Sequence, residues 1–173
     1  MQPEHPLATA ERTSDGWTVV FVRLLAHRPD KVWRALTESE HLQHWMPCDI
    51  VGERREGATI ELPFWPAHID KYGPDLPTLQ GVIRIWDPPS VLVWTWDTDV
   101  LRFELESDAD GTTLTFTTQL GLDDQGAANT AAGYHACLDN LVDLLDTGSA
   151  PPLVDADVGP NEERYRAVVE AAG

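Results

Sequence analysis

Apolar and polar side chains alternate along residues 100–107 and again along residues 112–120. The sequence between these runs, residues 108–111, is made of aspartate, alanine and glycine and favours a turn. A two-residue period gives a strand one buried side and one solvent-facing side, as in an antiparallel sheet. The pattern predicts two neighbouring strands, with Phe103, Phe116 and Thr118 on the buried face.

Five further strands are predicted from apolar and β-branched runs bounded by turn residues. They cover residues 17–26, 49–53, 58–62, 79–86 and 91–96. Strand parity turns Arg84 and Arg102 outward, and it places an apolar, aromatic-rich set on the inner face: Ile83, Ile85, Leu92, Trp94 and Trp96. One of these two tryptophans can fill the core while the other lines a cavity.

The hydrophobic period changes to 3.6 residues between residues 127 and 145. Tyr134, Leu138, Leu141 and Leu145 then share one stripe, which predicts a long amphipathic helix. Gly148 suits its C-terminal cap, and a short terminal helix is predicted over residues 161–171.

Residues 28–45 predict two short helices directly after the first strand. Pro29 suits a first helical turn, and Thr37 or Ser39 can cap the second helix. Helices this short are unstable alone, so Trp33 and Trp45 are expected to anchor them to the sheet.

This order of elements predicts an α+β fold, in which a curved antiparallel sheet of about seven strands wraps around the long C-terminal helix. One helix is too narrow to cover such a sheet, so a cavity is expected between them. The helix pair and the loop over residues 63–78 would close its ends. That loop contains four prolines. It is interpreted as a lid carrying Trp65, His68 and Tyr72; alternatively, its aromatic residues only plug the core.

Composition narrows the functional classes. The chain has 173 residues, is 42% apolar and carries a net charge of -17, with 12 basic against 29 acidic residues. Such a charge disfavours nucleic acid and anionic membranes as partners. The acidic residues concentrate towards the C-terminus, where a basic partner could dock, although a solvated face is the preferred interpretation. Without a signal-like or membrane-length apolar run, the protein is expected to be cytoplasmic, with Cys48 and Cys137 reduced.

Two clusters suggest chemistry. His41 and His44, followed by Cys48 and Asp49, have spacing compatible with a metal site, yet exposed histidines beside packing residues also explain the pattern. His135 and Asp139 are four residues apart on the long helix, where an acid–base pair is conceivable, but they lie away from the apolar stripe and are interpreted as edge residues. No metal or cofactor is expected.

Several segments resemble the START-like (SRPBCC) superfamily, and within it the homologues of the activator of the heat-shock chaperone ATPase. The similar segments are residues 30–37, His44-Trp45, 81–89, 92–96 and 133–141. Tyr134 stands where relatives commonly have tryptophan. The resemblance spans roughly residues 17–147 and implies a helix-grip fold with a hydrophobic cavity. It divides the chain into a flexible tail (1–14), a helix-grip domain (15–148) and a C-terminal extension with a short helix (149–173).

The resemblance and the aromatic inner face together predict binding of a small apolar or aromatic molecule, lipid-, polyketide- or hormone-like. The expected ligand-binding residues are Trp65, His68, Tyr72, Ile83, Ile85, Trp94, Trp96, Phe103, Phe116, Thr118, Tyr134, Leu138 and Leu141. A cyclase- or hydrolase-type enzyme on a polyketide-like substrate, and a chaperone-interacting module, stay open as alternatives. The protein is expected to be a monomer or homodimer.

Overall fold

The computed structural model describes residues 4–173. Its seven strands form one antiparallel sheet in the order β1-β2-β7-β6-β5-β4-β3. They are β1 (Thr9–Thr13), β2 (Gly16–Leu25), β3 (Thr59–Leu62), β4 (Leu79–Asp87), β5 (Val91–Trp96), β6 (Asp99–Asp108) and β7 (Gly111–Leu120). The helices are α1 (Pro29–Thr37), α2 (Ser39–Trp45), α3 (Pro66–Tyr72), α4 (Asp124–Thr147) and α5 (Gly159–Ala172), with a 3₁₀ turn over Leu153–Asp155. The sheet curves around α4, so the predicted fold class is confirmed.

The centre of the grip is a row of aromatic rings. Phe21, Phe103 and Phe116 lie opposite one another on β2, β6 and β7, so their side chains share the inner face. The ring centroids of Phe103 and Phe116 are 4.6 Å apart, and those of Phe21 and Phe116 are 5.7 Å apart. Tyr134 of α4 meets the Phe116 ring edge-on at 5.1 Å. This contact fixes the long helix on the sheet.

The number of strands was predicted correctly, but one of the seven predicted segments is not a strand and one strand was not predicted. Residues 49–53 are not a strand: Val51 makes only an isolated bridge to Glu61, with N–O distances of 2.8 and 2.9 Å. The seventh strand is β1, which pairs with β2 in the segment predicted to be a tail. That part of the prediction was wrong because β1 is a solvent-exposed edge strand without an apolar period. Residues 1–3 of the predicted tail lie outside the described residues.

A register shift changes the inner face of β4. The shift falls between Ile83 and Ile85, so Ile85 pairs with Val93 and Trp86 pairs with Leu92. Val93 lies opposite the outward-facing Arg102, which places Ile85 on the outer face. Its predicted inner position was wrong, because a bulge inverts strand parity. Trp86 takes the inner position instead and meets Trp33 edge-on at 5.1 Å.

The helix pair is present as predicted, with Pro29 at the start of α1. The indole Nε1 of Trp45 donates a 2.8 Å hydrogen bond to the carbonyl of Ala35, in the last turn of α1. Neither predicted cap forms: Glu38 precedes α2, while the Thr37 hydroxyl donates to Trp33 and the Ser39 hydroxyl donates to Asp49. The two helices are therefore held by their tryptophans.

Two predictions about helices need revision. The segment 63–78 is not only a loop, because Pro66 starts α3, which ends at Gly73 with a φ of 111°. The long helix is capped at its start by Asp123, whose carboxylate accepts from the Gly126 amide, and at its end by the predicted Gly148, in the left-handed conformation. A proline at the first helical position is favourable, so the prolines that suggested a loop also permit a helix.

The terminal helix α5 packs along α4 and buries His135, which is 4% exposed. The prediction of an edge position was wrong because the sequence pattern of α4 could not show that α5 covers this flank. The Tyr165 hydroxyl accepts from the Ala8 amide at 3.0 Å and lies at hydrogen-bond distance, 2.8 Å, from His135 Nδ1. Burial, with Arg23, His5 and Arg164 nearby, lowers the pKa of His135 to about 4.

Trp45→Phe should reduce the free energy of unfolding by about 1–2 kcal/mol more than Trp94→Phe does. Only the change at Trp45 removes a hydrogen-bond donor from a carbonyl, that of Ala35. Trp94 is a matched control, since its indole nitrogen has no hydrogen-bond partner among the described residues. Urea unfolding of both variants measures the difference. Equal losses would contradict the anchoring role of Trp45.

The contribution of His135 to the stability of the protein should fall as the pH is lowered from 7 towards 4. An unfolded histidine titrates near pH 6.5 and folded His135 near 4, so the unfolded chain binds more protons in this interval. The contribution of this residue is at most about 3 kcal/mol.

Urea unfolding at several pH values gives the free energy of unfolding as a function of pH. This free energy should change less steeply with pH for His135→Gln than for the wild type. A wild-type slope in His135→Gln would assign the pH dependence to other groups.

Candidate functional site

A cavity of about 580 Å³ lies beside the first half of α4. We call it the end cavity. Its walls come from Phe64 and α3, the β5–β6 turn, α4, and the segment after α4. The lining residues are Pro47, Phe64, His68, Tyr72, Leu76, Leu79, Trp96, Asp97, Thr98, Asp99, Leu122, Thr130, Gly133, Tyr134, Ala136, Cys137, Leu153, Ala156 and Val158. A cleft of about 880 Å³ beside α1 and α2 is edged instead by charged side chains such as Glu38, Glu40 and Arg54.

Aromatic rings form one continuous wall of the end cavity. The centroids of Phe64 and Trp96 are 6.0 Å apart, those of Phe64 and His68 are 6.5 Å apart, and those of His68 and Tyr72 are 6.3 Å apart. Tyr72 is largely exposed, so it stands at the rim. Flat rings held this close present a large apolar area at small entropic cost.

Tyr134 brings a hydroxyl to the inner end of the cavity. Its side chain is 6% exposed, and burial raises the pKa of its phenol well above the ordinary value. The negative charge of Asp99 adds to this rise. The nearby Thr118 hydroxyl acts against this rise in the pKa of Tyr134, although the Thr118 hydroxyl has no hydrogen-bond partner among the described residues. The phenol is therefore a neutral donor at physiological pH.

The β5–β6 turn supplies two carboxylates. Asp97 is exposed at the mouth and has a φ of 55°, a conformation that aspartate tolerates better than most residues. Asp99 is half-buried, and burial raises the pKa of its carboxyl, while the Gly121 amide opposes the rise and Asp97 adds to it. Neither residue forms an ion pair with any residue that the structure describes.

His68 is the third polar group of the wall. It is 9% exposed, and its Nδ1 has no hydrogen-bond partner within residues 4–173. Burial lowers the pKa of the imidazole, and the positive charge of Lys71 lowers it further. The ring is therefore neutral near pH 7, with one nitrogen free to accept or donate.

Gly133 keeps part of the cavity empty. A Cβ built at this position would meet no described atom within 4 Å, although the residue lies in the middle of α4. A glycine inside a helix costs roughly 1 kcal/mol relative to alanine. Its absent side chain leaves space that any larger residue would fill.

The structure brings together only some of the predicted ligand-binding residues. His68, Tyr72, Trp96 and Tyr134 line the end cavity. Seven more of the predicted residues face inward but are buried in the core and do not line the cavity: Ile83, Trp94, Phe103, Phe116, Thr118, Leu138 and Leu141. Trp65 directly precedes α3, and its Nε1 donates to the Met46 carbonyl at 2.9 Å. Ile85 faces outward. Of the two paired tryptophans, Trp94 is core and Trp96 is cavity wall.

The cavity lies at a different place from the one expected. Side chains fill the space between the sheet and the part of α4 that carries Leu138 and Leu141, and the helix pair does not form the end wall of the cavity. The sequence reasoning missed Asp97, Asp99, Gly133 and the wall formed by Leu153, Ala156 and Val158. Two signals were available: a glycine inside a helical pattern, and an aspartate at an inner-face position of a strand.

The histidine pair of α2 is not brought together with other ligands. Nowhere in residues 4–173 do three His, Cys, Asp or Glu side chains converge as a metal site would require. His41 lies 3.4 Å from Glu38, and the carbonyl of His44 accepts from Asn140. Within the same residues, no helix is both long and apolar enough to span a bilayer.

Known structures share this architecture. A conserved protein of unknown function from Enterococcus faecalis superimposes with a TM-score of 0.78 at 21% identity, covering 96% of this chain and 92% of that one. CalU16 from Micromonospora echinospora gives 0.68 in its crystal structure at 18% identity, with 94% and 95% covered. A Bordetella parapertussis protein gives 0.68 at 22% identity, with 95% and 94% covered.

No curated protein matches the sequence significantly. A family match, however, covers residues 26–146, from the end of β2 almost to the end of α4. The family is described as "Activator of Hsp90 ATPase homolog 1-like protein". The matched range contains the helix pair, the five strands β3 to β7 and most of the grip helix. The chain therefore belongs to this family, within the START-like superfamily.

Proposed function

We propose that this protein binds a small apolar or aromatic molecule in the end cavity. One observation carries the proposal: the core is packed around α4, yet about 580 Å³ stays open beside an aromatic wall. That volume lies within the usual range of small-molecule sites, and a mainly apolar wall with a few polar groups is typical of them.

The proposed contacts follow from the wall. Phe64, Trp96 and Tyr72 offer ring faces to an apolar or aromatic ligand body. The Tyr134 phenol and the His68 imidazole offer hydrogen bonds deeper in the cavity. Other predicted residues, such as Phe103 and Leu138, then act indirectly by holding α4 and the sheet in place.

The C-terminal extension is proposed to cover the site. Leu153, Ala156 and Val158 line the cavity on one side, and Lys71 of α3 donates a hydrogen bond to the Val154 carbonyl. The opposite flank of the extension is held by Tyr165. A ligand would therefore pass between α3 and this segment, where the contacts are local and polar.

Filling the cavity from Gly133 tests the proposal. Gly133→Leu should weaken binding of the uncharged dye N-phenyl-1-naphthylamine at least about tenfold, because the side chain occupies the ligand space. Gly133→Ala adds only a methyl group and should bind the dye nearly as the wild type does. Dye fluorescence measures binding, and circular dichroism checks the fold.

The alanine variant should also be more stable by about 0.5–1 kcal/mol, because it removes a helical glycine. Gly126→Ala is a contrast, since its Cβ would lie 3.1 Å from the capping Asp123 carboxylate. Equal dye binding by Gly133→Leu and the wild type would exclude the end cavity as the binding site.

A second candidate is a cyclase- or hydrolase-type reaction in the same cavity. It is favoured by His68, a buried neutral imidazole whose Nδ1 has no described partner and could accept a proton. Turnover of polyketide-like compounds that disappears in His68→Gln while dye binding persists would select this candidate. Binding without turnover would leave the first proposal. The chaperone-interacting alternative stays a prediction.

A further inference from the structure

We infer that the ligand carries a cationic nitrogen, held at the mouth of the end cavity between the Asp97 and Asp99 carboxylates and the Trp96 ring. The inference rests on the proposed function and adds the chemical class of the ligand.

The first step is the position of Asp99. It has the same strand parity as Leu101 and Phe103, so its side chain projects to the inner face of β6. Leu101 and Phe103 are both fully buried, as that face requires. A carboxylate in this row loses hydration, and the Gly121 amide supplies only one compensating contact. A cation in the cavity would supply the missing charge.

The second step is the neighbour of Asp99. Trp96 pairs directly with Asp99 across the β5–β6 hairpin, so the indole and the carboxylate stand side by side on one face. Aromatic faces beside carboxylates suit organic ammonium groups, which gain from the negative face of the ring as well as from the ion pair. The Phe64 ring extends this face from the other side of Trp96.

The third step is an independent polar group. His68 is nine-tenths buried on the same wall, and its Nδ1 is unpartnered among the described atoms. A neutral imidazole nitrogen accepts from an N–H group without repelling a cation. An anionic ligand would meet no compensating charge, because the described residues lining the cavity include neither lysine nor arginine. Lys71 is turned to the Val154 carbonyl and lies against the exposed Tyr72.

The wider charge distribution acts in the same direction. A net charge of -17 raises the local concentration of cations around the whole protein. Because this general attraction is not specific to one site, the test must distinguish it from binding by the Asp97 and Asp99 carboxylates. The chain offers a matched control in Asp110, which is exposed in the β6–β7 turn and distant in the fold from the cavity wall.

The experiment compares three probes of equal size: 2-(1-naphthyl)ethylammonium, 2-(1-naphthyl)ethanol and 1-naphthylacetate. NMR titration of the full chain near pH 7 measures each dissociation constant. We expect the ammonium to bind about tenfold more tightly than the alcohol, and the carboxylate to bind most weakly. Asp99→Asn should remove most of the preference for the ammonium, whereas Asp110→Asn, with the same charge change, should retain it.

The outcomes separate the two proposals. If the alcohol binds as tightly as the ammonium, or if Asp99→Asn retains the preference, the inference about charge is wrong and the binding function stands. If none of the three probes binds, both proposals fail. Unchanged binding of the alcohol to Asp99→Asn shows that the variant is folded and its cavity intact.

Discussion

The edge-on contact between Tyr134 and Phe116 is the constraint on which the arrangement of this molecule depends. It joins the only long helix inside the grip to the row of rings formed by Phe21, Phe103 and Phe116, among the residues described. Because an interior packs at crystal-like density, a helix held at this point fills the middle of the sheet. The empty space is then displaced to one end of the grip, beside the first half of α4, where Gly133 has no side chain to occupy it.

The same contact explains why polar groups gather at that end. Tyr134 packs its ring against Phe116 and lines the same cavity as Asp99 and His68, and the charge of Asp99 acts on its phenol. An apolar cavity with uncompensated polar groups is unfavourable for folding alone, since each group has lost water without gaining a full set of partners. Such groups are tolerated where a ligand completes them, which is the physical reason for assigning a function to this place.

Periodic signals in the sequence predicted the strands β2 to β7, the helix pair and α4, because burial of one face imposes a regular pattern. Elements without that pattern were missed. The exposed strand β1 has no apolar period, α3 is short and rich in proline, and the bulge in β4 reverses the parity on which Ile85 was placed. The sequence predicted that an apolar, aromatic cavity exists but did not predict its position. Which part of the inner face stays unfilled depends on the volumes of all the side chains in the grip, and the hydrophobic pattern of the sequence does not give those volumes in three dimensions.

The hydroxyl of Tyr165 has a consequence for the two ends of the chain. It joins the Ala8 amide, 157 residues away, to His135 on α4, and Arg164 also pairs with Glu4. These contacts close nearly the entire polypeptide into a ring, and the entropy of closing so long a loop grows only slowly with its length. The residues around Ala8 and the helix α5 therefore meet beside His135 of α4. Loss of the Tyr165 hydroxyl would consequently loosen the residues around Ala8 and the C-terminal helix together, although the two segments lie far apart in the sequence.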